Sequence, residues 1–454
     1  MPAQNSALTP YLSQTGAFRD GTDSPRDFLE RAIERLEARE PELRAFVTMS
    51  LPRARIAADA ATERWQAGKP LSPIDGMPIG IKDVIETADM PTQLGSPTFD
   101  GWQSGRDAAS VFALREAGAI IFGKTKTTEY ASTYPTDTRN PHDASRTPGG
   151  SSSGSAAAVG AGILPAALGT QVLGSVLRPA SYCGAVGYKP TFGGINRGGS
   201  HDYQSQSCIG VIAASLSDTW GVAQAIVRRA GGDPGAPGIL GSETLPAAKK
   251  PLRLARLDTG GWAVTSPHAR EVFEEAIEEL REKGVTVLSA KQDEGIAEVE
   301  KAIGEAWQLS LDIVDFESRW PARSVAYRDP LGLSGRYMQR INDAHRFGLD
   351  GYRERLGRRA QIREIFERVA KGFDSFITLG APGAAPHGIR TTGNAIFNAP
   401  ASLLGTPAVT LPVLSDSGMP LGLQLMGGQH SDEAIFSLAS WIGKESAEGT
   451  AWVD

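Results

Sequence analysis

The chain has little of what many enzymes are built on. Its 454 residues include two cysteines and six histidines. Cys183 and Cys208 are too few for a disulfide framework and lack metal-ligand spacing, so a reducing, cytoplasmic setting and no metal are expected. The longest apolar run, Ala156 to Leu168, is broken by glycine and Pro165 and falls short of the ~20 residues that span a bilayer. The first ten residues show no basic region leading into an apolar core, so no signal peptide is expected. Positive charge is not in excess either. A formal charge of −6 argues against a nucleic-acid partner, which a basic patch would attract. The arginines between Arg319 and Arg368 alternate with acids at helical spacing and read as a solvated helix face.

What is present fits a large folded enzyme. A composition 41% hydrophobic and 22% charged supplies an ample core, although length alone would suggest about three domains. Leu29, Ala32, Ile33 and Leu36 fall at helical spacing behind Ser24 and Pro25, predicting a helix over 24–39. Further helices are predicted over 52–67 and from Ala108 to Gly118, followed by a strand at 119–122. Later, a strand at 252–257, a helix from Ser266 to Gly284 and a strand at 285–288 form a βαβ unit. Residues 297–370 read as helical with a break at 321–335, and strands return at 375–379, 408–413 and 421–426. This rhythm predicts an α/β fold with a large mixed sheet covered by helices. The Gly/Pro-rich segment 230–248 is a linker or a loop within one sheet. One domain over 1–454 is expected, with a core at about 70–230, a βαβ and helical part at about 250–372 covering a cleft, and C-terminal core segments at about 373–445.

Two motif matches are set aside on physical grounds. Gly118 to Thr125 fits the phosphate-loop pattern, but its variable residues are Ala-Ile-Ile-Phe, a buried strand rather than a loop whose amides curl around phosphates. Gly150-Ser-Ser-Ser-Gly154 fits a nucleophile elbow, yet the polar segment Asn140 to Pro148 precedes it where a buried strand is required. His201, His268, His345, His387 and His430 lie downstream without context that marks a base.

A third set stands: Lys82 in the turn-like G-M-P-I-G-I-K-D, and Ser151 and Ser175 in G-G-S-S-S-G-S-A-A-A-V-G-A-G-I-L-P-A-A-L-G-T-Q-V-L-G-S-V-L-R. This stretch, with C-G-A-V-G-Y-K-P-T after it, resembles the signature of the amidase signature family of serine hydrolases. G-A-I-I-F-G-K-T-K-T-T-E-Y at 118–130, F-N-A-P-A-S-L-L-G-T-P-A-V-T-L-P and G-L-Q-L-M-G at 397–427 extend the resemblance in the family's order over most of the chain. It implies the amidase signature fold and hydrolysis of a carbon–nitrogen amide bond. Ser175 is then the nucleophile, Ser151 a bridging serine after a cis peptide bond, and Lys82 the base. The amides of Val172, Leu173, Gly174 and Ser175 form the oxyanion hole. A small-molecule amide is the expected partner, a homodimer an expected assembly, and neither cofactor nor membrane is implied. A glutamine-hydrolysing amidotransferase subunit, passing ammonia to a partner subunit, is the second function implied.

That chemistry sets conditions. A serine hydroxyl needs a neighbour to take its proton, and a lysine near pKa 10.4 does so at neutral pH only if burial brings it towards about 7 to 8. Asp83, pointing to the opposite side of extended backbone, is expected to anchor backbone rather than pair with Lys82. Ser152 and Ser153 read as backbone-shaping hydroxyls. The chain departs from the family's usual G-T-D-T-G-G-S-I-R: Gln171 stands for Asp, Leu173 for Gly and Leu177 for Arg. Losing both members of a charge pair together avoids stranding one buried charge. Arg178, three residues past Ser175, resembles the malonamidase branch, in which an arginine there is thought to hold a substrate carboxylate. Gly150, Thr170, Gln171, Tyr130 and Arg178 are substrate-binding candidates, and Tyr134, Trp307, Trp320 and Arg323 are weaker ones.

Overall fold

The computed structural model describes residues 8–132 and 134–445. Eleven strands form one mixed sheet in the order β1-β3-β2-β4-β6-β5-β10-β11-β9-β7-β8. They are β1 Phe46–Met49, β2 Pro78–Lys82, β3 Ile120–Thr125, β4 Ala166–Gln171, β5 Val186–Lys189 and β6 Cys208–Ala213, then β7 Arg253–Arg256, β8 Thr286–Leu288, β9 Ser375–Leu379, β10 Ala408–Asp416 and β11 Met419–Met426. Helices flank the sheet and seal apolar clusters against it. The expected α/β fold is therefore the observed one.

Local sequence explains much of the scaffold. The helix Pro25–Leu43 starts where Ser24 accepts a hydrogen bond from the Asp27 amide, the favoured N-cap arrangement. The helix Pro267–Glu282 starts the same way at Ser266, and it connects the parallel strands β7 and β8. The segment 230–248 lies between the helix Leu216–Ala230 and β7, and strands on both sides of it join the one sheet.

The helical part corrects one expectation. The helix Ala306–Arg328 runs through Pro321 without ending there, and the break falls later, between Arg328 and the helix Gly335–Asp343. Proline removes one amide bond and crowds one carbonyl, but Ala322 and Val325 are buried just beyond it, in a small cluster with Leu333, Tyr337 and Ile341. That burial holds the following turns in place.

Two parallel pairings position the site. β2 lies between β3 and β4 and is parallel to both. Its carboxyl end therefore opens on the same sheet edge as that of β4, where ligands bind in open α/β sheets.

Candidate active site

Lys82 is the last residue of β2, not part of a turn as its flanking glycines suggest. It is fully buried. Its Nζ lies 2.7 Å from Ser151 Oγ and 2.7 Å from Thr170 Oγ1, with the Thr170 carbonyl at 3.4 Å. Burial brings its pKa down to about 7, against a smaller upward pull from Asp202. A neutral amine has two N–H donors and one lone pair, so two of these contacts are donated by Lys82 and one hydroxyl must donate back. Donation from Ser151 leaves Thr170 as the fixed acceptor and readies the amine to take a proton.

Asp83 faces the other way. Its Oδ1 lies 3.2 Å from Lys124 Nζ, and its Oδ2 accepts from the Gln93 amide at 3.1 Å. Lys124, the lysine of the apparent phosphate loop, sits in β3 and also donates to Thr92 and the Pro91 carbonyl. Burial pushes the Asp83 carboxyl up to about 6 although Lys124 pulls it down. This pair keeps the nearest carboxylate in sequence away from Lys82.

Ser151 follows a cis peptide bond from Gly150. The polar loop before it contains no strand, and the helix Ser153–Gly160 begins two residues later. Ser152 Oγ accepts from the Thr170 amide, and Ser153 Oγ donates to the Gly149 carbonyl. Both hydroxyls tie the loop to its surroundings, as expected from their small-residue setting. Ser155 Oγ adds a bond to the Leu168 carbonyl of β4.

Ser175 lies beyond the end of β4, in the loop that leads to the helix Leu177–Cys183. Together with Val172, Leu173 and Arg178 it lines a cavity of about 550 Å³. Among the described residues, its hydroxyl makes no hydrogen bond to Ser151. Nor, among those residues, is a protein acceptor found for the amides of Val172, Leu173, Gly174 and Ser175.

Gln171 supports this loop, Thr170 bonds to Lys82 and Ser152, and neither lines the cavity. Gln171 is fully buried; its Oε1 accepts from the amides of Val176 and Leu177, and its Nε2 donates to Ser402. Ser402 donates to the Leu173 carbonyl at 2.8 Å. A neutral amide here satisfies two helix-entry donors without a buried charge, which explains Gln at the family's Asp position. Gly150 also stays out of the cavity wall, its carbonyl accepting from Arg178 at 2.5 Å.

Arg178 does line the cavity. It is 6% exposed, and its Nε is buried without a hydrogen-bond partner. Desolvation brings its pKa down to about 10. Tyr130 lines the same cavity, stacked on Tyr337 with ring centroids 4.6 Å apart. Its φ of 48° is followed by 53° at Ala131, two consecutive left-handed non-glycine residues of the sort found where side chains are held for a purpose. Trp307 lines the wall as well. Trp320 is 75% exposed, Arg323 is exposed, and Tyr134 borders a second cavity instead. An aromatic on a helix gives its exposure away only through its neighbours' faces, which a single sequence leaves open.

Comparison with known proteins identifies the family of the chain. The model of the Amidase family matches residues 27–436. The chain belongs to the Amidase family. It is 34% identical over 464 residues to a subunit of the glutamyl-tRNA(Gln) amidotransferase of Chloroflexus aggregans, covering 92% of each chain. It is 32% identical to the corresponding protein from Roseiflexus castenholzii, covering 94% of this chain and 95% of the other. A crystal structure of an amidase superposes with a TM-score of 0.84 at 26% identity, over 97% of this chain and all of that one. Among the described residues, no helix of this Amidase-family chain is long and apolar enough to cross a membrane.

Proposed function

We propose that this chain hydrolyses a carboxamide through an acyl-enzyme on Ser175. One observation carries the reading: a buried lysine brought to about pKa 7 touches the hydroxyl of Ser151, beside a serine whose loop offers unpaired amides. Ser151 relays the Ser175 proton to Lys82 as the hydroxyl oxygen attacks the amide carbon. The amides of Val172 to Ser175 hold the oxyanion, a role in which loss of one donor typically costs ~100 to 1,000-fold in rate. Lys82 then returns the proton through Ser151 to the leaving nitrogen, the C–N bond breaks, and water releases the acid.

Two substrate readings compete. The names of the curated relatives favour glutamine, hydrolysed by an amidotransferase component that hands ammonia to a partner. The unpartnered Nε of Arg178 favours any small amide with a carboxylate, malonamate being the simplest. Ammonia release from malonamate, neutral malonamide and glutamine, with Ser175→Ala as control, tests both. A charge-assisted hydrogen bond from Arg178 should favour malonamate over malonamide by about 10 to 150-fold. Equal rates would make Arg178 structural. Glutaminase activity that rises on adding a copurifying protein would select the amidotransferase reading.

A further inference from the structure

The cavity contains a second buried charge that the hydrolytic reading does not use. Asp202 lines the same cavity as Ser175 and Arg178 and is 4% exposed. Its Oδ2 is buried with no hydrogen-bond partner, and so is Oε1 of its cavity neighbour Gln204. An ionised carboxylate and an amide oxygen can only accept, and burying them unpaired is costly.

None of the nearby donors bonds to these two oxygens. Lys82 directs its nitrogen at Ser151 and Thr170. His201 Nε2 lies 3.2 Å from Glu86 without a hydrogen bond to it. Arg178 donates to the Gly150 carbonyl. The Gln204 amide nitrogen donates to Ser318, leaving its oxygen free. Unfilled acceptors and an unfilled guanidinium N–H thus belong to residues lining one cavity.

We infer that Asp202 and Gln204 form a cation-reading subsite, so that the substrate is an amide bearing a protonated amine as well as a carboxylate. Asp202 takes one ammonium N–H, Gln204 Oε1 takes another, and the carboxylate lies on Arg178. This rests on reading the cavity as the amide-binding site and narrows its substrates to amino-acid amides. Malonamate, which lacks the amine, would leave Asp202 unpaired.

The test compares pairs that differ only in the amine: L-glutamine against glutaramate, and L-asparagine against succinamate. Calorimetric binding to the Ser175→Ala protein removes any dependence on turnover. At least one amino acid should bind about 10 to 150-fold more tightly than its deaminated partner, and Asp202→Asn should collapse that ratio. Gln204→Ala should reduce it in part. Equal binding within both pairs, tighter binding of the deaminated acids, or no binding by any of the four overturns the proposal. So does an Asp202→Asn variant that weakens both members of a pair equally, since Asp202 would then act only through Lys82. Ser175-dependent ammonia release from glutaramate at the glutamine rate would sink this subsite while leaving the hydrolytic reading intact. Ammonia release that persists in Ser175→Ala would sink the hydrolytic reading alone.

Discussion

Lys82 and Asp83 are adjacent in sequence and opposed in space: the lysine lies 2.7 Å from Ser151 Oγ, while the carboxylate pairs with Lys124 at 3.2 Å. Strand geometry separates them, because successive side chains of extended backbone leave on opposite faces. Lys82 stays unpaired, and its pKa can fall.

The pH profile should report that fall. A base must be neutral, so kcat/KM should level off above about pH 8 and drop tenfold per unit below pH 7, the pKa to which burial brings Lys82. A profile still rising tenfold per unit between pH 8 and 10 would show a lysine with an ordinary pKa.

The same shift carries a stability cost. Because the folded pKa of about 7 lies below the ordinary lysine value of 10.5, the unfolded chain binds more protons between these values. Stability from this group therefore rises with pH across that window, and its cost is fullest below pH 7. Lys82→Met should abolish hydrolysis yet raise Tm at pH 7, as calorimetry can check. A lowered Tm would mean that the bonds to Ser151 and Thr170 outweigh the desolvation.

Asp83→Ala should have the opposite effect on folding. It strands Lys124 as a buried, uncompensated charge, which typically costs about 3 to 5 kcal/mol. Urea unfolding of Asp83→Ala, Lys124→Met and the double variant Asp83→Ala/Lys124→Met should show strong non-additivity, with the double variant more stable than Asp83→Ala. Additive losses would indicate that the two side chains do not depend on one another.

Gly174→Ala tests the amide cradle. An added Cβ would come within 2.6 Å of Ala395 Cβ and of Asn398 Oδ1, so the loop must move. kcat should fall by about 100-fold or more with a smaller change in KM, because oxyanion contacts act mainly in the transition state. A large rise in KM with kcat intact would place the loop in ground-state binding instead.

Much of this is legible in the sequence, and the rest is hidden for identifiable reasons. The amphipathic helix starting at Ser266 and the strand at 375–379 are plain because one has a clear apolar stripe and the other is a short β-branched and aromatic run. β2 and β4 do not read as strands, since Gly80 in one and Ala166, Ala167 and Gly169 in the other have small side chains where strand propensity favours branched ones. Those small residues suit the close contacts there: a Cβ on Gly80 would meet Leu164 and Thr125 at 2.9 Å. Lys82, Ser151 and Ser175 follow from motif resemblance, but their partners do not. Gln171 is a brace because its amide is consumed by Val176, Leu177 and Ser402, the last of them 231 residues away. Asp202 and Gln204 sit in the polar stretch His201 to Ser207, which carries no spacing signal.

The brace from Ser402 to Leu173 has a consequence for the order in which the protein is made. Lys82, Ser151 and Ser175 leave the ribosome well before Asn398 and Ser402, which back the Ser175 loop, and before strands β10 and β11, the neighbours of β5 and β9. A nascent chain therefore carries these three side chains long before it can hold the Ser175 loop in place, and the brace closes only when Ser402 has been added.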